Sequence, residues 1–491
     1  MKKGGLKIII NGFNDIFLPV VYRLLEDLPA SYFCVINTAQ ISFPADITGD
    51  SYSYYDMRLG SYSNVNWNKV LPLDSDIMEK MVECETVVLK MMERLEPGGI
   101  DVRSYQKRKE IYLCHLRYWN HVIEAKQVNL AIFATVPHMM YDYVIYSLCK
   151  LKKIETLMFY RMPVLPEKSV LKYLINDYKK PLEDIQEKYA QLIRNFSIDT
   201  SEDIELSPSS LAYIDAHSVK GDHPEAYINP ETSRRKVTLT QRIRSKTAEL
   251  VGVLLGLSTK GSFELFYRFS IHRKRISINH IYSNQHAEPD LNCKFVYLAL
   301  HFQPECTTSP MAGVYVDQLL IAQLISSVLP KGVLLYVKEH PRESLILNLN
   351  FYKQLLALPN VRIIKRDYNS YTLIDHSLAV ATATGTAGWE GFLRMKPVLI
   401  FGYYFYQYAP CVFQIRSLRD CREAISQIIE GKVIPELKNI KFFLKATEGF
   451  TSEGYIDIRY KNVATVSEKK NIENTVNSLL ERIAKIEINE S

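Results

Sequence analysis

Three polar clusters in the C-terminal half each follow an apolar run directly, and their residue types suit the holding of a phosphate. His301-Phe302-Gln303-Pro304-Glu305 follows the run 295–300, and Lys338-Glu339-His340-Pro341 follows 333–337. Thr384-Gly385-Thr386-Ala387-Gly388-Trp389-Glu390-Gly391 follows 379–382. Core packing does not call for Lys, Glu and His straight after an apolar strand, whereas a ligand site at a strand end does. His340 can donate to a phosphate oxygen, and Lys338 can offset its charge unless it points away from the site. The hydroxyls of Thr384 and Thr386 and the N–H groups near Gly388 can cradle the phosphate at a helix start, where Gly385 permits close approach. Glu390, one turn on, can hold ribose hydroxyls. The plainer readings are a βαβ turn whose glycines serve only packing, and a carboxylate placed for the helix dipole. In the first half, Pro137-His138 follows the apolar run 130–135, and Asp15 sits in the turn after 7–10. Both are candidates for acceptor contacts or acid–base work, with helix capping the simpler role for His138. Asp74-Ser75-Asp76 resembles a metal-binding triplet but opens a helix, so N-capping accounts for it better.

The elements that must position these residues alternate. Residues 7–10, 19–28 and 32–36 read as strand, helix, strand. A loop-like span 37–75 follows, then helices 77–93 and 105–125, strand 130–135, helix 141–151 and strand 156–159. From 294 a second series runs through strands 295–300, 333–337, 361–364, 379–382 and 398–401, separated by helices. Such alternation makes parallel sheets with right-handed crossovers. The fold class is therefore α/β and GT-B-like, with two Rossmann-like domains facing a central cleft. The expected divisions are 1–165 (N-terminal Rossmann-like domain), 166–290 (helical, basic insertion and linker), 291–435 (C-terminal Rossmann-like domain) and 436–491 (helical tail). Within the insertion, the basic stretch 234–275 encloses the apolar segment 250–257. That suits an anionic membrane face or a polyanionic glycan, and equally a solvated bridging helix.

Composition narrows the class. The 491 residues, 47% hydrophobic and 23% charged, suit two globular domains. A net charge of +6 is small for this length and, with no recognisable motif, argues against a nucleic-acid partner. Eight cysteines without a CxxC pair argue against a zinc site or disulfide framework and point to a reducing compartment. No run approaches 18 apolar residues, and 8–10 is too short for a signal-peptide core. The expectation is a cytoplasmic protein able to rest peripherally on the inner face of a membrane.

The C-terminal half resembles the capsule-polysaccharide-synthesis family, which includes the retaining β-Kdo transferases of bacterial capsule assembly. The resemblance rests on Gln303-Pro304-Glu305, Lys338 to Pro341, Gly385 to Gly391, Lys396-Pro397-Val398, Phe401-Gly402 and Phe405-Tyr406. In the first half it is limited to strand order and Val136-Pro137-His138. It implies a glycosyltransferase using a nucleotide sugar, typically a CMP-activated Kdo-like or other nonulosonic acid, with a glycan or lipid-linked glycan acceptor and no metal or other cofactor. His340, Thr386 and Glu390 then line the nucleotide site, within a set comprising Gln303, Lys338, Glu339, His340, Pro341, Thr384, Gly385, Thr386, Gly388 and Glu390. One departure matters. The Kdo transferases carry an aspartate shortly after the family glutamine, thought to attack the sugar. Here Thr307 stands near that place, and no aspartate lies between Gln303 and Asp317. Glu305, the nearest carboxylate, becomes the candidate nucleophile or general base. The competing readings are a UDP- or GDP-hexose transferase, a sugar-nucleotide epimerase and a non-catalytic glycan-binding protein.

Overall fold

The computed structural model describes residues 5–45, 47–62, 65–95, 104–162, 171–181, 183–195, 204–218, 273, 276–278, 280, 282, 284–303, 305–340, 349–448, 450–461 and 464–486. The basic stretch 234–275, apart from Arg273, lies outside these residues, as do Pro304 and Pro341.

The strands in chain order are β1 (Leu6–Asn11), β2 (Ala30–Asn37), β3 (Thr48–Ser53), β4 (Leu130–Phe133), β5 (Glu155–Met162), β6 (Leu171–Ile175), β7 (His286–Ala287), β8 (Lys294–Ala299), β9 (Val333–Lys338), β10 (Val361–Ile364), β11 (Ala379–Thr382), β12 (Val398–Ile400), β13 (Val412–Gln414) and β14 (Ser452–Glu453). They form two seven-stranded sheets, ordered β14-β6-β5-β4-β1-β2-β3 and β13-β12-β11-β8-β9-β10-β7. All pairings are parallel except β5–β6 and β6–β14. The fold class expected from the sequence is the one found. Buried on both faces, the central strands are continuous apolar runs such as Ile8-Ile9-Ile10, as doubly covered parallel sheets require.

Strand order also locates the sites. In the first sheet the direction of winding reverses between β1 and β4, and in the second between β8 and β11. Open α/β sheets bind ligands outside the carboxyl ends of strands at such a reversal. Asp15 and His138 follow β1 and β4, while Glu305 and Thr384 follow β8 and β11.

Several elements depart from expectation. The span 37–75 contains β3 and the helix Tyr54–Leu59, and the expected helix 77–93 is two helices, Ser75–Lys80 and Val82–Met91. The polar span 201–218 carries the helix Pro208–His217. Residues of the expected tail return to the first domain. β14 joins its sheet through β6, and Val476, Leu479 and Ile483 of the helix Glu468–Ala484 pack with Val20, Val21 and Leu24 of the helix Leu18–Asp27.

One aromatic-rich core joins the two halves. Tyr160 and Tyr173 of the first sheet lie with Trp389, Tyr404 and Tyr406 of the second domain in a single buried cluster, the Tyr160 and Tyr404 ring centroids 5.7 Å apart. Two polar contacts secure the junction. The buried Trp389 Nε1 donates to the Tyr213 hydroxyl at 2.9 Å. Arg394, 3% exposed, grips both oxygens of Asp375 at 2.6 Å and donates to the Ser218 carbonyl at 2.9 Å.

Candidate functional site

The loop after β8 and the turn after β11 are tied together by an imidazole. His301 Nε2 accepts from the Thr384 backbone N–H at 3.0 Å and lies 3.0 Å from Thr382 Oγ1. Thr382 Oγ1 in turn accepts from the Gly385 N–H at 3.1 Å. The buried Gln318 clamps the His301 backbone from both sides. Its Oε1 accepts the His301 N–H at 2.7 Å, and its Nε2 donates to the His301 carbonyl at 3.2 Å. Burial, reinforced by neighbouring His340, pushes the His301 pKa down to about 3. The ring is therefore neutral across the physiological range.

The helix Thr386–Leu393 starts from this turn with Gly385 as N-cap and no side-chain cap. Among the described residues, the N–H groups of Thr386 and Ala387 have no hydrogen-bond partner. They are the open donors that a helix start offers an anion. Close packing forms this surface. A Cβ added at Gly385 would meet Thr382 Oγ1 at 2.7 Å, and one at Gly388 would meet the Tyr406 hydroxyl at 2.5 Å. Both glycines are thus required by packing beneath the turn, whatever binds above it. The Tyr406 hydroxyl donates to the Gly385 carbonyl at 2.5 Å, and the Thr384 hydroxyl to the Thr307 carbonyl at 2.6 Å.

Lys338, the last residue of β9, is 3% exposed, and its Nζ donates to Ser370 Oγ at 2.9 Å. Burial lowers its pKa, opposed by the negative charges of Glu390 and Asp367. Lys338 thus lies within electrostatic reach of Glu390 on the helix Thr386–Leu393. His340 is half-buried, its ring centroid 6.0 Å from that of Phe302. Three of the residues proposed from sequence for nucleotide contact, Glu339, Gln303 and Thr384, are occupied elsewhere. The Glu339 carboxylate, 5% exposed, accepts from the Tyr352 hydroxyl and the Arg366 guanidinium, and the Gln303 amide donates to the Val316 carbonyl. At the end of β9, Lys338 thus turns to Ser370 and the next residue, Glu339, to Tyr352 and Arg366. Gln303 and Thr384 likewise use their side chains to hold loops, leaving Lys338, His340, Thr386, Glu390 and the helix-start amides nearest to a ligand.

Glu305 is exposed, its carboxylate accepting from Thr307 Oγ1 at 3.3 Å. Its neighbour Cys306 reaches the Val136 carbonyl in the first domain, with Sγ 3.9 Å away. The loop that carries Glu305 therefore meets, at Cys306, the loop after β4. In that loop, Asp142 accepts from the N–H groups of His138 and Met139 at 3.1 and 2.6 Å, and His138 Nδ1 donates to the Val136 carbonyl at 2.7 Å. The helix Tyr141–Leu151 has Met140 as N-cap and no side-chain cap, and Asp142 in its first turn instead holds the preceding loop and orients His138. Asp15 is exposed with φ 52°, 3.4 Å from Thr38 Oγ1. Asp74 caps its helix by accepting from the Ile77 N–H at 2.9 Å. Among the described residues no group of three His, Cys, Asp or Glu side chains could hold a metal ion, and no helix is long and apolar enough to cross a membrane.

His301 and Gln318, which organise this turn, have no such role among the expectations drawn from the sequence. The position of His301 directly after β8 was a usable signal, but nothing in local spacing announces that Gln318 will clamp it.

Residues 316–420 match the model of a family described as capsule polysaccharide biosynthesis protein. The match contains Lys338, His340, Thr386 and Glu390 and stops short of His301 and Glu305. No curated protein sequence matches the chain. Solved structures with a similar course include the β-Kdo 2,7 transferase of Thermosulfurimonas dismutans KpsC, at 12% identity over 77% of this chain and 90% of that one, with a TM-score of 0.34. The UDP-GlcNAc 2-epimerase of Methanocaldococcus jannaschii is 9% identical over 90% and 98%, TM-score 0.26. A glycosyltransferase of Rickettsia africae is 9% identical over 99% and 100%, TM-score 0.25. Likenesses at these scores carry no argument about chemistry.

Proposed function

We propose, from the capsule-biosynthesis pattern of residues 316–420 and the strand ends it contains, that this chain is a glycosyltransferase of capsule polysaccharide assembly. It moves a sugar from a nucleotide donor to a glycan or lipid-linked glycan acceptor. One observation carries the reading: the open N–H groups of Thr386 and Ala387, buried Lys338 and half-buried His340 gather where the second sheet reverses its winding. These are donors for a phosphate, and Glu390 alongside can take ribose hydroxyls.

The finer reading is a CMP-activated, Kdo-like acid transferred without a metal, with Lys338 and the helix start supplying the positive potential that steadies the departing phosphate. Glu305 lies beside the contact between Cys306 and Val136, so it can address a sugar held between the domains. As nucleophile it would form a bond to the anomeric carbon while the bond to the phosphate oxygen breaks. The acceptor hydroxyl would then displace it, giving up its proton to a base such as His138. As general base, Glu305 would take that proton itself in a single displacement. Working at the inner membrane face through the basic stretch 234–275 fits a lipid-linked acceptor and belongs to the same proposal.

A thermal-shift panel of CMP, UDP, GDP and ADP tests the donor site, since a ligand bound only by the folded state raises its stability. A selective CMP response supports the finer reading, a UDP or GDP response replaces the donor, and no response to any nucleotide overturns the function. Turnover of a nucleotide sugar without acceptor would identify an epimerase instead. Glu305→Gln is expected to abolish transfer while leaving the nucleotide response intact, and unchanged turnover removes Glu305 from the chemistry.

A further inference from the structure

The contacts of His301 go beyond holding the turn. Its Nε2 accepts a backbone N–H, so that nitrogen carries no proton and the neutral ring must carry its proton on Nδ1. Among the described residues nothing accepts from Nδ1, and Nδ1 is not among the enclosed polar atoms that lack a partner. It keeps access to the space beside the turn although His301 is only 8% exposed. The ring's direction is fixed. A Cβ built on Gly385 would lie 3.1 Å from Nε2 and 3.3 Å from Cε1, so the Nε2–Cε1 edge lies against the turn. Nδ1 is the next ring atom beyond Cε1, so with Nε2 held by the Thr384 N–H its own N–H is directed away from that contact. The Gln318 amide holds the backbone of His301 at both its N–H and its carbonyl, so the ring cannot withdraw.

We propose that His301 is a phosphate-binding residue of the donor site, its Nδ1–H donating to an oxygen of the nucleotide phosphate seated on the N–H groups of Thr386 and Ala387. This rests on the nucleotide-donor reading above and adds a contact from the β8 strand end, outside the matched residues 316–420. A neutral donor with a fixed tautomer serves both stages of transfer, since it neither loses its proton nor gains a second as charge develops on the phosphate.

Two variants separate the two nitrogens. His301→Gln can place its carbonyl oxygen where Nε2 accepts from Thr384 and has no donor at the Nδ1 position. His301→Asn can place its N–H₂ near Nδ1 and loses the acceptor. The probes are whichever of CMP, UDP, GDP and ADP most stabilises the wild type, and the corresponding phosphate-free nucleoside. The readout is the ratio of their dissociation constants by calorimetry. One hydrogen bond to a charged oxygen corresponds to roughly 10- to 100-fold in affinity. His301→Gln is expected to weaken the nucleotide by about that factor with the nucleoside unchanged, while His301→Asn retains more of the ratio. An unchanged ratio in His301→Gln, or an equal fall in both variants, overturns the contact while leaving the donor reading intact. Failure of the wild type to bind any nucleotide overturns that reading and this inference with it. Should His301→Gln not fold, the imidazole ¹⁵N shifts of the wild type decide. They must show an Nδ1–H tautomer whose Nδ1 resonance moves on nucleotide addition, and an Nε2–H tautomer or an unmoved resonance overturns the proposal.

Discussion

Replacing Lys338 by Met should change stability and binding in opposite directions. The ammonium is 3% exposed, is hydrogen-bonded to Ser370 and has, among the described residues, no carboxylate within ion-pair distance. Holding a charge there is costly, which is why burial lowers its pKa below the ordinary 10.5. The folded state then releases this proton at a lower pH than the unfolded chain. The wild type should therefore gain stability relative to Lys338→Met as pH rises toward 10.5. At neutral pH, Met keeps most of the buried stem and removes a charge whose burial is costly, so stability should hold or rise. Glu390, being only partly buried, can be solvated in compensation. The phosphate loses a charge-assisted hydrogen bond of about 1.5–3 kcal/mol, or roughly 10- to 150-fold in affinity. Urea unfolding and calorimetric titration of the preferred nucleotide measure the two effects. A loss of stability above about 1 kcal/mol with unchanged affinity would refute the argument and make Lys338 a structural residue.

Two further outcomes follow from the packing. Gly388→Ala drives a Cβ against the Tyr406 hydroxyl and should cost about 1–3 kcal/mol by overpacking. Adding Tyr406→Phe removes the hydroxyl, so the double variant should be less destabilised than the two single losses sum to, and strict additivity in urea unfolding would falsify the contact. His115 is fully buried, with Nδ1 2.6 Å from the Tyr62 hydroxyl, and burial lowers its pKa to about 3. Its stabilising contribution is complete above the unfolded value of 6.5 and is lost as pH falls toward 3, at ~1.4 kcal/mol per pH unit. His115→Gln should flatten the stability profile between pH 6.5 and 4.5 by about that slope, and parallel profiles would show that the ring is already protonated.

Legibility in the sequence followed the strength of the apolar signal. The helix Tyr141–Leu151 and the strands β10 and β11 have the bounds their apolar patterns give, and β10 is closed by polar residues at both ends, Asn360 and Lys365. β3 escaped because Thr-Gly-Asp-Ser-Tyr-Ser has no apolar run. It lies at a sheet edge, partly exposed, and is held by its pairing with β2. β14 is two residues long and exists only through β6, so the return of the tail to the first domain has no local signature. The candidate site shows the same division. Residue types marked the three strand ends, but which side chains are taken up in holding the loops depends on contacts spanning 17 residues from His301 to Gln318 and 83 from His301 to Thr384.

The same edge concentrates features that folding alone does not need. Among the described residues, an ammonium is buried with no carboxylate within ion-pair distance, a histidine is held neutral against its usual titration, and two helix-start amides have no partner. Each costs stability, and a site tuned only for packing would have shed them. The offset lies beneath and beside them. Gly385 and Gly388 bring the turn hard against Thr382 and Tyr406, Arg394 locks the helix end to Asp375, and Trp389 sits in the aromatic core shared by both domains. The packing glycines and the open amides are therefore one device, in which close approach below the turn fixes the direction of the N–H groups above it. It also explains why a methyl group at position 388, buried and remote from solvent, should weaken nucleotide binding as well as folding.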